Sequence, residues 1–334
     1  MAVATDRPPP PAAHLEAATV GRVASGAAPV ARGLRGSRAH RTGPVWRRPR
    51  GALGTRVVPT LVSAPLVYRR PMHRALITGG TSGIGAAFAR AFARRGVDLV
   101  LVARDEGRLR ETAADLRHEH GIDVETIRAD LADRDDQARV ARRLEADGSD
   151  PDLPIVDVLV NNAGFSLRTS LLDPDPSTHD RSHEVMVRSV IVLCSAAARA
   201  MSARGQGWII NVGSVSAFVP QNNYSAIKAW VNAYTEALHV QLAGTGVSAT
   251  LLAPGWVRTE FHARAGITGS SIPGFLWLSS DRLVEDCLRD VARGKAVSIP
   301  SLRFKVITTA MRIAPRGLVH GISAALSARR NRER

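Results

Sequence analysis

Tyr224 and Lys228 stand four positions apart, a spacing that puts both side chains on one face of a helix. A phenol with an unperturbed pKa near ~10 is a poor acid or base at neutral pH. An ammonium beside it stabilises the phenolate and lowers that pKa. Such a pair can give a proton to a carbonyl oxygen. Lysine is scarce here: only Lys228, Lys295 and Lys305 occur, against 42 arginines. A GC-rich coding sequence accounts for the scarcity, and it makes each remaining lysine a candidate for chemical necessity.

A second constellation lies near residue 80. The apolar run Ala75-Leu76-Ile77 leads into Thr78-Gly79-Gly80-Thr81-Ser82-Gly83-Ile84-Gly85, and a helical pattern begins at Ala86. Glycines between a strand and a helix allow a tight turn and let a pyrophosphate approach the helix N-terminus, where free N–H groups favour an anion. The next apolar run ends at Val102-Ala103-Arg104. An acid at its end would hold the adenosine ribose hydroxyls. Ala103 stands there instead, with Arg104 beside it and Arg108 a turn later, and a guanidinium pairs with a 2′-phosphate. This favours NADP over NAD.

These residues need elements to position them. Strands are expected near 73–78, 97–103, 122–128, 155–160, 207–213, 246–252 and 296–299. Helices are expected near 83–95, 105–119, 134–146, 178–203, 222–243 and 281–293. Such alternation, with strands that are nearly continuous apolar runs, predicts an α/β fold: a Rossmann-type, doubly wound parallel sheet of about seven strands, helices on both faces, in a single domain. Residues 301–326 are basic and partly apolar, and any helix there is interrupted at Pro315 and Gly317.

The chain of 334 residues is 45% hydrophobic and 22% charged, which excludes collagen-like, disulfide-scaffold and wholly disordered classes. No apolar run reaches the roughly 18 residues of a spanning helix. Two cysteines, Cys194 and Cys287, imply no disulfide framework and fit a reducing compartment, so a cytoplasmic location is expected. The net charge of +15 is carried by the ends: +10 in residues 1–71 and +7 in 301–334, leaving −2 for 72–300. A basic groove for nucleic acid on the folded part therefore lacks support. Residues 1–71, rich in Pro, Ala and Arg, read as a disordered leader, with translation expected to start at Met72. No cluster has metal-ligand spacing.

Six motifs in order carry a resemblance: Thr78 to Gly85, Ala129-Asp130-Leu131, Asn161-Asn162-Ala163-Gly164, Ser214, Tyr224 to Lys228, and Pro254-Gly255. The chain resembles the short-chain dehydrogenase/reductase family over about residues 73–300. The resemblance implies that Asp130 bonds the adenine amine with Leu131 beside it, that Asn161 braces the fourth strand, and that Ala163 and Gly164 line the cofactor. Val257 and Thr259 would meet the nicotinamide amide. Lys228 would hold the nicotinamide ribose, and Ser214 would bond the same substrate oxygen as Tyr224. It also implies a homodimer or homotetramer formed through the long helices containing residues 186 and 224.

Two departures stand out. Ser214 and Tyr224 are ten positions apart, shorter than the family interval. Where the family carries a relay asparagine, this chain has Met186, within Val185-Met186-Val187. Its carbonyl can still hold a water if the helix kinks, and Ser189 is a possible substitute one turn later. Phe261, His262, Ile267, Ile272, Phe275, Leu276, Trp277 and Leu278 lie in the expected substrate lid at 260–280 and point to a hydrophobic substrate.

Tyr224 to Trp230, Pro254 to His262 and Val297 to Ser301 are similar to bacterial reductases of lipid 3-oxo groups, including 3-oxo-mycolate precursors. The expected activity is NADPH-dependent carbonyl reduction. The alternative is a catalytically weak cofactor-binding sensor or partner subunit, which Met186 favours. A nucleic-acid binder acting through the tails ranks last. The basic, partly apolar tail suits peripheral contact with an anionic membrane.

Overall fold

In the computed structural model, residues 72–167, 169–257, 274 and 277–332 are described. Seven parallel strands form one sheet: β1 (Arg74–Thr78), β2 (Asp98–Ala103), β3 (Val124–Arg128), β4 (Val158–Asn161), β5 (Gly207–Val212), β6 (Val247–Leu252) and β7 (Val297–Ser298). Their order is β3-β2-β1-β4-β5-β6-β7. The order reverses between β1 and β4, and in open α/β sheets ligands bind at the carboxyl end of such a switch point.

Alternation along each strand builds two cores. Ala75 and Ile77 of β1 and Leu99 and Leu101 of β2 point to one face, where α1 (Gly83–Ala93) and α2 (Glu106–His120) pack. The helix Ser280–Ala292, α7, shares that face through Leu283, Val284 and Cys287. Leu76, Val100 and Val102 point to the other, against α3 (Arg134–Leu144), α5 (Ser189–Arg204) and α6 (Asn223–Gln241). Burial on both faces explains why the strands read as apolar runs rather than alternating ones. Helix ends obey local chemistry: Asp133 caps α3 by accepting from Asp135 and Asp136 N–H, Gly205 ends α5 at φ 71°, and Asn222 and Ser225 form a capping box at α6.

The helix expected at 178–203 is a composite. It comprises α4 (Ser177–His183), a π-helical turn at Glu184–Arg188, and α5. By length and composition this 28-residue run is apolar enough to cross a membrane, although charged residues interrupt it. Here Leu193, Cys194, Ala196, Ala197 and Met201 are buried against the sheet, as in the core helix of a globular domain.

Past β7 the chain forms α8 (Leu302–Ile313) and α9 (Arg316–Arg332). The break between them falls at Ala314-Pro315, as expected of a proline that cannot continue a helix, but the interruption expected at Gly317 does not occur, since Gly317 lies in the first turn of α9. Helix α8 is not a free appendage: Phe304 and Thr308 are buried, and the helix packs on the 3₁₀ turn Val215–Phe218.

Candidate active site

The turn after β1 is built by backbone and locked by Asn162. Gly79 and Gly83 have φ of 65° and 56°, in the region that favours glycine. A Cβ on Gly85 would collide with the Gly79 carbonyl oxygen, so only glycine fits there. The Asn162 side-chain amide donates to the carbonyls of Thr78 (3.0 Å) and Gly79 (3.2 Å). The Thr78 hydroxyl accepts from the N–H groups of Asn162 and Ala163, both at 3.0 Å. This ties β1 to β4 across the switch point. Asn161 donates to Asn211 Oδ1 (2.9 Å) and to Cys194 Sγ (3.2 Å), linking β4 to β5 and to α5.

Helix α1 begins after Ser82 with no side-chain cap and no acid in its first turn. Thr81, Ser82, Gly83 and Ile84 are partly exposed around that N-terminus. Uncapped N–H groups above a cradle that tolerates no Cβ at residue 85 fit a dinucleotide pyrophosphate.

Arg104 is exposed at the end of β2. Its charge acts on Asp130, whose carboxylate accepts from the Ala132 N–H (3.0 Å) and from Arg181 of α4 (3.1 and 2.8 Å). Burial pushes Asp130 up, but Arg181, the Ala132 N–H and Arg104 together hold it below its ordinary value. Leu131 is buried next to it. Sequence reasoning missed Arg181, which lies 51 residues away and carries no local signal.

Tyr224, Lys228 and Ser214 come together at the carboxyl end of β5. Lys228 is buried, with its Nζ 2.8 Å from the Val212 carbonyl and 5.7 Å from the centre of the Tyr224 ring. Ser214 is hydrogen-bonded to Tyr224, and the Ser214 Oγ accepts from Ser216 Oγ (2.8 Å) and Ser216 N–H (3.0 Å). The ten-residue interval therefore suffices. The expected lowering of the phenol pKa is not what the protein alone produces. Burial pushes Tyr224 up to about 12, against the opposing effect of Ser214, and pushes Lys228 down to about 8. Burial of both groups, rather than their pairing, sets these directions.

Asn232, a further turn along the same helix face, was also missed. Its Nδ2 donates to the Ser214 carbonyl (3.3 Å), and a Cβ on Gly213 would collide with its Oδ1. That Oδ1 is buried without a hydrogen-bond partner, packed instead against the Gly213 backbone.

Met186 is buried in the π-helical turn, and a Cβ on Gly164 would lie 3.1 Å from its Sδ. The helix departs from α geometry at this turn, and π turns often occur at functional sites. Ser189 is buried and its hydroxyl donates to the Val185 carbonyl (2.7 Å), so its one donor is not available in place of the missing amide. Pro254 and Val257 are buried, and Gly255 packs so closely on the Phe304 ring that a Cβ there would clash. Thr259, together with Phe261, His262, Ile267, Ile272, Phe275 and Leu276 of the expected lid, lies outside the described residues. At its far end Leu278 N–H donates to the Trp256 carbonyl (2.8 Å), and the Trp256 and Trp277 rings are 6.2 Å apart.

The short chain dehydrogenase family profile matches residues 73–268. The chain belongs to that family and is an oxidoreductase of its fold. Galactitol 2-dehydrogenase (L-tagatose-forming) of Cereibacter sphaeroides is 38% identical over 200 residues, covering 58% of this chain and 75% of that protein. A short-chain dehydrogenase of Sphingobium yanoikuyae in complex with NADPH is 35% identical, with a TM-score of 0.64 over 72% of this chain and 94% of its own. The bulky-bulky ketone specific alcohol dehydrogenase of Comamonas testosteroni is 31% identical, with a TM-score of 0.62 over 73% and 93%. Fold, cradle and family together point to a nicotinamide cofactor.

Proposed function

We propose that this protein is an NADP(H)-dependent carbonyl reductase that makes a secondary alcohol, with Tyr224 as general acid. The observation carrying this reading is the meeting of Tyr224, Ser214 and Lys228 after β5, in the same sheet whose β1 leads into the glycine cradle. The pyrophosphate would lie on the α1 N-terminus, with Gly79, Thr81, Ser82, Gly83, Ile84 and Gly85 around it. Arg104 would take the 2′-phosphate, Asp130 and Leu131 the adenine, and Ala163, Gly164, Pro254, Gly255, Val257 and Thr259 the remainder. When bound, the reduced nicotinamide supplies a hydride to the carbonyl carbon.

The protein's part is proton delivery and positioning. A phenol whose pKa is pushed to about 12 is fully protonated at neutral pH, the state required to donate to a carbonyl oxygen. Ser214, held by Ser216 and by Asn232 through its own carbonyl, points the substrate oxygen at that phenol. Lys228, with three donors and one given to Val212, has donors for vicinal ribose hydroxyls. Below pH about 8 it is charged and supports the phenolate left after transfer.

The apolar residues of the 260–280 segment support a hydrophobic ketone or β-ketoacyl substrate, and the likeness to a bulky-ketone dehydrogenase agrees. The galactitol dehydrogenase relative makes a polar polyol the competing class. Ile191, 41% exposed on α5, and the stacked Trp230 and Tyr234 on α6 support a homodimer through those two helices. Met186 favours a second reading, a cofactor-binding protein with slow proton relay.

NADPH oxidation with matched short and long β-ketoesters and with ketoses tests these readings. Turnover rising with chain length is expected. Turnover on ketoses alone overturns the substrate class, and tight NADPH binding without turnover on any ketone favours the sensor.

A further inference from the structure

The sheet leaves α8 with two unlike faces. Phe304 and Thr308, 4% and 2% exposed, point inward, and the Phe304 ring rests on Gly255. On the opposite face Leu302, Val306 and Ile313 are 77%, 62% and 80% exposed. Positions i, i+4 and i+11 of a helix fall on one line, so these three make a continuous apolar stripe. In the following helix α9, Leu318 is a further 58% exposed. Arg303 lies to one side of the stripe and Lys305 and Arg312 to the other, all three exposed. Arg312 stretches across the Phe218 ring, 5.0 Å from its centre, towards Glu236 at 3.5 Å. No acid occurs between Asp290 and Glu333.

We propose that this outward face of α8 docks on an anionic lipid surface. An apolar line flanked by cations is the pattern of a helix lying in a bilayer interface, with aliphatic stems covering apolar surface and charged ends reaching the headgroups. Juxtamembrane cations are each favourable near anionic lipid.

A second copy of the chain fits less well. A two-fold interface would set this patch against itself, bringing a segment with eight cations and one acid onto its own like charges. A nucleic acid would need cations at the centre of the face, where the apolar line runs.

The inner face of the same helix braces Gly255 and the turn after Ser214. Docking would therefore hold the candidate site about one helix diameter, roughly 10–12 Å, from the lipid. Delivery of a lipid-borne ketone from the bilayer rests on the reductase reading; the docking itself does not.

The test is co-sedimentation of the full chain with phosphatidylcholine vesicles and with mixed phosphatidylcholine–phosphatidylglycerol vesicles. Wild-type protein is expected to bind the mixed vesicles, less so as salt rises, and to leave phosphatidylcholine largely unbound. Val306→Asp/Ile313→Asp should weaken binding by about tenfold or more, with NADPH affinity and melting temperature unchanged. Binding that responds to salt but ignores this variant overturns the proposal and assigns the affinity to another basic segment, such as residues 1–71. No binding to either vesicle overturns it too. Self-association that is lost in the variant, without vesicle binding by the wild type, identifies a second copy as the occupant. NADPH turnover on a water-soluble ketone, measured in parallel without vesicles, reports the reductase reading separately.

Discussion

The glycine cradle after β1 and the Tyr224 corner after β5 are built by different physics. The cradle is backbone: glycines at positive φ, a contact that excludes a Cβ at residue 85, and an asparagine amide clamped on two carbonyls. The corner is side chains whose properties come from burial. A phenol is raised to about 12, an ammonium is lowered to about 8, and a serine is held from two directions. A backbone site is specified by residue type alone. A side-chain site depends on what the rest of the chain packs around it.

That contrast orders the expected effects. The largest belongs to the cradle. Gly85→Ala forces a methyl group into the Gly79 carbonyl, where no flexible side chain can yield. NADPH affinity should fall by about a hundredfold or more and stability by about 1–3 kcal/mol. Fluorescence titration and thermal melting measure both, and near-wild-type binding would show that the cradle is softer than its geometry.

At the corner, Asn232→Ala removes the bond to the Ser214 carbonyl together with an unpartnered buried oxygen, so stability should change little. We expect kcat to fall about tenfold while KM for NADPH stays the same, the pattern of a positioning residue. A change in KM alone would place Asn232 outside the corner.

Arg104→Ala should weaken NADPH by about tenfold or more and NADH hardly at all, because a charged hydrogen bond to a 2′-phosphate is lost. Equal losses would remove the NADP assignment.

The smallest effect is in pH. Lys228 is charged below about 8 and loses its proton above it, earlier than an ordinary lysine. The kcat/KM for NADPH should therefore decline as pH rises through about 8. A decline that begins only near 10 would mean that burial does not govern this group.

Legibility from sequence follows the same division. Strand-length apolar runs give the order of elements, and the glycine turn gives the cradle, since both are local. Strand ends shift by a few residues; β4 starts at Val158 rather than 155, after the buried Asp157 has accepted the His73 N–H (2.8 Å). The π turn at Met186, the Arg181–Asp130 pair and the packing of Phe304 on Gly255 were not legible. Each depends on partners tens of residues apart, or on helix geometry that no residue type announces. The phenol pKa was read from its neighbour Lys228, but burial, which sequence spacing does not report, decides its direction.

The central claim is that Tyr224 delivers the proton. Turnover and NADPH binding of Tyr224→Phe, measured side by side with the wild type on the best ketone of the panel, test it most directly. The account predicts turnover lower by about 10²–10⁴ with NADPH affinity nearly unchanged. Turnover close to wild type would contradict it and move the proton donor elsewhere.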